Sequence, residues 1–393
     1  MLQDLRYSLR AMAKRPWFGV AIILVLGLAV GVNTAVFSLI NAFLLSPLRV
    51  RAPDELAFVY HSNDRVGGVT YSAFLELQQR VDAFSGLAAR SGDTGRLRRG
   101  DDVVPLYGEA VSANYFDVLG VAPKIGRAFS ANDESPASTP VALISEALWK
   151  SQFAADAAIA GKLLRIDTAS LYAGRYTRWK DYTIVGVMPA SFAGTGNPWQ
   201  SARYWVLLTQ RAVDYQALRE RDTLANRAVV PIGRLKPGVP LAQARASVEA
   251  AGRDILQRSP YPTKPGDAFQ LLSTRRVRPP FSGAYVMDIP RITATLAAVG
   301  TMLLIIAGTN LAGMLLARGV GRRAEIAIRL SLGVGRMRLM RQLMMESVSL
   351  AIGGGCVGLL AARVLVAAAL HGLPSELPGS SDVAAAVEVP VDL

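Results

Sequence analysis

Charged residues at helical spacing occur between residues 318 and 346, a segment flanked by two long apolar runs. The charged residues that could share one face of a helix are Arg322, Glu325, Arg329 and Arg336. Their separations of three, four and seven positions match the helical repeat, and apolar residues from Ile326 to Met344 would form a second face. Such a helix can bind a partner protein through its charges, or lie on a membrane with its arginines at lipid headgroups. Composition alone favours the second interpretation.

Patterns for catalysis and metal binding are missing from the sequence. It has no G-x-x-x-x-G-K-[ST], H-E-x-x-H or G-x-S-x-G motif. One cysteine, Cys356, and two histidines, His61 and His371, cannot form a closed structural zinc site. Four dipeptides are interpreted as solvated loops or turns: Asp101-Asp102, Asp133-Glu134, Ser85-Gly86 and Ser282-Gly283. We therefore predict no enzyme activity and no catalytic, cofactor or metal site, so ATP would be hydrolysed by another chain.

The composition points to a membrane protein with a large folded segment. Of the 393 residues, 51% are hydrophobic and 19% charged, which excludes a disordered chain and argues against one ordinary soluble domain. The net charge of +13 is compatible with nucleic-acid binding, with attraction to an anionic membrane surface, or with a signal that sets membrane topology. Residues 1–15 and 318–346 together carry 11 basic and 3 acidic residues. The positive-inside rule therefore places both segments in the cytoplasm, and we expect no nucleic-acid partner.

Three apolar runs are long enough to cross a bilayer. The first follows basic residues, as a signal peptide does, but it is nearly twice the length of a signal-peptide core. The predicted topology is a cytoplasmic N-terminus 1–16, transmembrane helices 17–45, 292–317 and 347–370, an extracytoplasmic domain 49–290, a cytoplasmic connector 318–346 and an extracytoplasmic tail 371–393. This predicts an α-helical membrane protein with an inserted mixed α+β extracytoplasmic domain, multi-pass in a bacterial inner (plasma) membrane.

The pattern within residues 49–290 alternates short strands and helices. Runs rich in β-branched residues predict strands at 103–104, 140–144 and 182–187. Ser145 is predicted to cap a helix over 146–153, and 241–256 reads as a helix that buries Ala244, Val248, Ala251 and Ile255. Lys236-Pro237-Gly238 predicts a turn between this helix and a strand that ends near residue 235.

Small and polar residues within the apolar runs could join helices. Gly27 with Gly31 and Gly354 with Gly358 form G-x-x-x-G pairs, and Gly308 with Ala312 is a similar small pair. These permit close packing within the subunit or across a dimer, although lipid-embedded helices also tolerate glycine without such contacts. Asn33 and Asn310 need polar partners at membrane depth. Hydrogen bonds between helices are the favoured interpretation, and a substrate path is the alternative.

Several strings resemble one family of transport proteins. They are Leu28 to Leu48, Val111 to Val121, Gly126 to Phe129, Leu148-Trp149, Tyr182 to Val187, Gly233 to Gly238, Asn310 to Arg318 and Arg322 to Ser347. In combination they resemble MacB-like and FtsX-like ABC transporter permeases over nearly the whole chain, and most closely the acidobacterial duplicated orphan permeases. Residues 49–290 are similar to the MacB-like periplasmic core domain, and the later segments to the FtsX-like permease domain.

The resemblance implies a mechanical function. In these permeases the connector contacts a cytosolic P-loop ATPase, which makes Arg322, Glu325, Arg329, Gly333 and Arg336 the expected coupling residues. Gly333 and Gly335 should break or bend the helix, so the docking surface should be short. The family implies dimerisation or pairing with a second permease half, and efflux or extraction of hydrophobic compounds, peptides or lipoproteins. The alternative is an FtsX-like signalling or scaffold protein without its own ATPase.

The sequence departs from the family pattern at three points. Gly313 stands where a second Asn is frequent, and residues 169–180 resemble an insertion before the 182–187 strand. Family members have at least four transmembrane spans, and the duplicated orphan permeases have eight. Three spans are predicted here, so we expect a truncated half whose fourth span is missing.

Overall fold

The structure is a computed structural model. It describes residues 16–41, 48–62, 66–99, 102–135, 137–169, 177–196, 201–211, 229–259, 265–274, 277–278, 287–321, 323–332 and 335–372. These residues divide into two compact units, a helical unit within 16–41 and 291–372 and an α/β unit within 48–290. The α/β unit is thus inserted in the chain between helices, as the predicted fold class requires.

The helices, in chain order, are α1 (Pro16–Ile40), α2 (Tyr71–Arg80), α3 (Tyr115–Leu119), α4 (Glu146–Phe153), α5 (Leu241–Gln257), α6 (Ile289–Gly321), α7 (Arg323–Ser331) and α8 (Arg336–Gly372). The strands are β1 (Leu56–Ser62), β2 (Val66–Gly67), β3 (Phe84–Arg99), β4 (Asp102–Val111), β5 (Ile125–Gly126), β6 (Val141–Ser145), β7 (Leu163–Ala169), β8 (Thr177–Met188), β9 (Tyr204–Leu207), β10 (Val230–Leu235), β11 (Ala268–Ser273), β12 (Val277–Arg278) and β13 (Met287–Asp288).

Three helices of the helical unit are long and apolar enough to cross a bilayer. The apolar windows are Gly19–Ser38 in α1, Pro290–Gly321 in α6 and Leu339–Ala368 in α8. Each contains at least 20 residues, which span about 30 Å or more at about 1.5 Å per residue. Large apolar side chains on α6, such as Leu303 and Ile305, are exposed in the monomer, as expected of a helix that faces lipid.

One sheet of eleven strands organises the α/β unit. Its main order is β11-β1-β10-β3-β4-β9-β6-β8-β5, while β2 pairs with β1, and β7 pairs with β3 and β8. The β4–β9 and β6–β8 pairs are parallel, and the other pairs in this sheet are antiparallel. β1 and β11, the first and last strands of this sheet in chain order, are neighbours in it.

The sheet is covered on both faces, so β1, β6 and β9 are buried at nearly every position. In β1, Ala57 and Val59 enter one core with α2 and α5, whereas Leu56, Phe58 and Tyr60 enter the other with α3. Successive strand residues point to opposite faces, which explains why a continuous apolar run suits a strand buried on both sides.

Most of the local predictions for this unit are confirmed. The runs at 103–104, 140–144 and 182–187 lie in or overlap β4, β6 and β8. The Ser145 hydroxyl caps α4 by accepting a hydrogen bond from the Leu148 amide at 3.1 Å. The turn after residue 235 has Gly238 at a φ of 80°. In α5 the prediction needs one correction, because Gly252 is buried where Ala251 is only partly buried.

One other prediction for this unit is wrong, and the segment predicted to be an insertion is part of a hairpin. Ser85-Gly86 lies inside β3, so interpreting it as a turn was wrong. The apparent insertion extends a hairpin, since β7 and β8 pair out to Ala169 and Thr177. Ser282-Gly283 and Asp101 lie outside the described residues.

Candidate functional site

The α/β unit begins with a short segment that is fixed to the sheet at several points. Residues 48–55 precede β1, and Pro53–Glu55 form a single 3-10 turn. The Arg51 amide donates to the Leu119 carbonyl at 3.2 Å, and the Glu55 amide donates to the Ala52 carbonyl at 3.1 Å. The first contact ties the segment to the end of α3 before β1 starts.

Arg234 is the centre of this attachment. It lies on β10 directly opposite Leu56, the first residue of β1, and its side chain is only 8% exposed. The guanidinium donates from Nε to the Val118 carbonyl at 2.8 Å, from Nη2 to the Arg51 carbonyl at 2.7 Å and from Nη1 to Glu55 Oε2 at 2.9 Å. Two longer bonds of 3.3 Å reach the carbonyls of Ala52 and Leu119. All five N–H donors of the guanidinium therefore have an acceptor.

The returning chain is attached at the same place. β11 ends at Ser273 opposite Ala57, and the next residue, Thr274, donates from Oγ1 to the Pro53 carbonyl at 2.9 Å. Its amide donates to the Leu56 carbonyl at 3.3 Å. Both connections thus leave one end of the β1–β11 pair. We call this cluster of residues 51–56, 118–120, 234 and 274 the junction.

A glycine allows the junction to close. Gly120 ends α3 with a φ of 66°, in the left-handed region that residues with a Cβ rarely adopt. A methyl group placed there would lie 2.8 Å from Cβ of Arg51, so the close approach of the two segments also excludes a side chain. Both requirements make glycine the residue that fits.

Close packing joins α1 and α8 within the helical unit. A methyl group on Gly27 would lie 2.8 Å from Cγ1 of Val357, and one on Gly31 would lie 2.9 Å from the Gly358 carbonyl. On α8, methyl groups on Gly354 and Gly358 would lie 2.6 and 2.9 Å from Cβ of Leu26 and Val30. The two G-x-x-x-G pairs therefore face each other in one subunit.

The other residues that were predicted to join helices are Asn33, Gly308 and Asn310. The Asn33 side chain donates to the Ala29 carbonyl at 3.2 Å, and its oxygen lies 2.5 Å from where a Gly300 methyl would stand, beside α6. Gly308 has no atom within 4 Å of its Cβ position among the described residues. Asn310 lies on an exposed face of α6.

The connector forms two helices. Arg322 and Gly333 lie outside the described residues. Glu325 and Arg329 lie on α7, which ends at Ser331, whereas Arg336 is the first residue of α8. Glu325 and Arg329 therefore do not share a continuous helix with Arg336, so the prediction of one helical face was wrong for these three residues. The helix is interrupted between Ser331 and Arg336, as Gly333 and Gly335 led us to expect.

A buried ion pair in the α/β unit was missed by sequence analysis. Arg90 Nε lies 3.2 Å from Glu109 Oε1, and both side chains are at most 3% exposed. Glu109 also accepts from the Tyr115 hydroxyl at 2.8 Å, the Trp205 indole at 3.0 Å and the Thr195 amide at 3.0 Å. Burial, followed by the nearby Glu109 charge, raises the pKa of Tyr115 well above its usual value. The tyrosine stays protonated and donates to Glu109, so the buried carboxylate is held by one charge and three hydrogen bonds.

Asp133 was wrongly interpreted as solvated. It is 9% exposed and accepts two hydrogen bonds from Arg127, at 2.6 and 2.9 Å. The bonds from Arg127 lower the pKa of Asp133 to about 2, and hydrogen bonds from the Ser130 amide and hydroxyl act in the same direction. Among the described residues, no group of three or more His, Cys, Asp or Glu side chains could hold a metal ion.

Comparisons with known proteins cover both units. A family model of the MacB-like periplasmic core domain matches residues 20–251, and a model of the FtsX-like permease C-terminal region matches 297–384. No curated protein matches. The periplasmic region of MacB from Actinobacillus actinomycetemcomitans is 14% identical with a TM-score of 0.38, covering 63% of this chain and 94% of that one. The extracellular domain of the noncanonic ABC-type transporter YknZ from Gram-positive bacteria is 15% identical with a TM-score of 0.37, covering 55% and 99%.

Proposed function

The chain belongs to the family of the MacB-like periplasmic core domain, joined to an FtsX-like permease region, and from this membership we propose that it is the permease subunit of an ABC-type system. Permeases of such systems are generally non-enzymatic membrane components, and the family suggests association with a cytosolic ABC ATPase. The observation that carries the proposal is that both family models match in order along one chain. The acidobacterial subfamily stays a prediction.

The proposed topology uses the three apolar helices. α1, α6 and α8 cross the inner membrane, residues 318–346 lie in the cytoplasm, and the α/β unit lies outside. A cytosolic ATPase docks on Arg322, Glu325, Arg329, Gly333 and Arg336. Because α7 ends at Ser331, this docking surface is one short helix followed by the start of α8. Pairing of two such subunits would follow the family.

Motion would reach the α/β unit through the junction. The chain enters the sheet at β1 and leaves it at β11, so a displacement that arrives along the chain would act on two neighbouring strands at the same end. A pair of antiparallel strands pulled apart from one end separates one hydrogen bond at a time. The Thr274 bonds to the Pro53 and Leu56 carbonyls hold that end closed, which lets the two strands move together. The Arg234 bonds fix the segment before β1 to the end of α3. The work done outside would be efflux or extraction of hydrophobic compounds, peptides or lipoproteins.

The test is recovery of an ATPase from gently solubilised host membranes. Tagged wild-type chain and the Arg329→Glu/Arg336→Glu variant are purified in parallel, and mass spectrometry identifies any P-loop ATPase. Arg98→Glu/Arg253→Glu is the matched control, because it makes the same change in charge at two exposed arginines of the α/β unit. We expect the ATPase with wild type and the control and not with the connector variant.

Two results would contradict the proposal. Recovery of the ATPase with the connector variant would show that docking lies elsewhere. Its absence from all three samples, with the chain folded and inserted, would favour a signalling or scaffold function. ATP turnover of the recovered complex, compared with and without the Arg234→Met substitution, then tests whether the junction is coupled to the ATPase.

A further inference from the structure

A cavity in the α/β unit is not used by the proposed function. Its volume is about 300 Å³, at the small end for ligand pockets. It lies between α2, the residues that lead from β4 into α3, and the turn Ala131–Glu134. Four residues of the string Val111 to Val121 line it, namely Ser112, Ala113, Asn114 and Asp117.

One wall of the cavity is apolar and largely aromatic. Tyr71 and Phe74 come from α2 and are buried, and Phe129 from the opposite side is 5% exposed. Leu75 lines the cavity and is 36% exposed. Aromatic faces of this kind attract both apolar groups and cations.

Some polar side chains that line the cavity form hydrogen bonds within the protein. The Ser112 hydroxyl donates to Asn114 Oδ1 at 2.7 Å and accepts from the Ala89 amide at 2.9 Å. The Asn114 and Gln78 side chains both donate to the Leu87 carbonyl at 3.0 Å. These contacts leave Ser112 and Asn114 engaged within the protein.

Two carboxylates at the cavity form no ion pair with any of the residues that the structure describes. Glu134 accepts from the Ala113 amide at 2.8 Å through Oε1 alone, and Asp117 makes no side-chain hydrogen bond or ion pair with any residue that the structure describes. Most other carboxylates of the unit face an arginine or lysine, as in the pairs Arg127–Asp133, Arg96–Asp167 and Arg211–Asp93. Asp117 is exposed and Glu134 is partly buried, so both carboxylates can meet a ligand that enters from solvent. Two negative charges beside aromatic rings favour a positively charged group over an anion.

We propose that this cavity binds a small organic ammonium ion with an apolar or aromatic group. The cation faces Asp117 and Glu134, and the apolar group contacts Tyr71, Phe74 and Phe129. The volume limits the ligand to a small molecule. Binding at this site does not require ATPase coupling, so the test of this proposal is independent of the test of the proposed function.

The test is a fluorine NMR titration of the full chain in phosphatidylcholine nanodiscs. The probe is 4-fluorophenethylammonium, and 4-fluorophenylacetate is the matched anion. We expect the cation resonance to broaden with wild type, and affinity to fall about tenfold in Asp117→Asn/Glu134→Gln, as for a lost charge-assisted contact. Asp102→Asn/Glu249→Gln makes the same chemical change away from the cavity and should bind like wild type.

The substitutions should preserve the fold. Asp117 is exposed, and a glutamine at 134 keeps an oxygen that can accept from the Ala113 amide. Fluorescence of the buried Trp205 checks this directly. Leu75→Ser provides a second test, since it opens the apolar wall at a partly exposed residue and should also weaken the cation.

Each other outcome would overturn the proposal. Binding of the cation that survives Asp117→Asn/Glu134→Gln would place the site elsewhere. Equal broadening of the anion resonance would show that the charge of the ligand does not contribute to binding. Failure of the probe to broaden at all would exclude this ligand class.

Discussion

Replacing Arg234 with methionine should open the junction without unfolding the sheet. Methionine keeps much of the apolar side-chain volume and removes all five donors. Three of the five bonds are short, between 2.7 and 2.9 Å, and they reach residues 118, 51 and 55. Each short bond contributes roughly 1 kcal/mol net, so the free energy of local opening of the junction should fall by about 3 kcal/mol.

Amide hydrogen exchange on the full chain in nanodiscs measures this change. The Arg51 and Glu55 amides report on the junction, because they donate to the carbonyls of Leu119 and Ala52. A loss of about 3 kcal/mol corresponds to exchange roughly a hundredfold faster at these amides. Amides in the middle of β1, which are bonded to β10 and β11, should change far less.

Arg245→Met is the matched control. Arg245 lies on α5 and donates one long bond of 3.4 Å to the Leu271 carbonyl. Its loss should leave exchange at residues 51–56 unchanged. If Arg234→Met leaves these amides as protected as in wild type, or if both variants speed them equally, Arg234 does not hold the junction and the reasoning fails.

Three further predictions follow from contacts of individual residues. Gly120→Ala should destabilise the α/β unit by about 2 kcal/mol in urea unfolding followed by tryptophan fluorescence, because its φ is 66° and the methyl would meet Arg51; an unchanged midpoint would contradict this. Gly354→Ala should lower resistance to SDS unfolding by about 1–3 kcal/mol through its clash with Leu26, whereas Gly355→Ala, with no atom within 4 Å of its Cβ position, should not; equal effects would refute the packing. Asp133→Asn should lower the free energy of unfolding by about 1 kcal/mol at pH 6, a value reduced for solvent screening of the exposed Arg127. This difference from wild type should shrink as pH falls from about 4 towards 2. A difference that is independent of pH would contradict the ion pair.

The sign of that pH dependence follows from linkage. The folded-state pKa of Asp133 is about 2, below the usual 3.8, so the folded state favours the ionised carboxylate. Its contribution to stability is present above the unfolded pKa and is lost as pH falls through the folded one.

Local features of the fold could be predicted because they depend on near neighbours. Ser145 caps α4, and the α5 repeat buries Ala244, Val248 and Ile255, because capping and helical periodicity act over three or four residues. Ser85-Gly86 was misread because its β partner, β10, lies about 150 residues further along the chain. Sheet pairing overrides turn propensity at such a position.

The functional residues were harder to predict because their roles depend on distant contacts. Arg234 lies in the string Gly233 to Gly238, which carries the family resemblance, yet its acceptors are more than 100 residues away along the chain. The available signal was an arginine within a buried strand, since a buried charge needs several partners. Arg90 and Glu109 lie closer in sequence, on the paired strands β3 and β4, and charged residues within these buried strands were the signal there as well.

The geometry of the junction determines how firmly it holds the segment that leads into β1. A strand ladder that is opened from one end breaks in series, so its first bond carries most of the load. The bonds of Arg234 act in parallel, because one planar group holds residues 51, 55, 118 and 119 at once. Opening the junction therefore requires several bonds to break together, and Thr274 adds a bond from the returning chain. A lysine at 234 could supply at most three donors from a single nitrogen, so Arg234→Lys should open the junction nearly as much as Arg234→Met does.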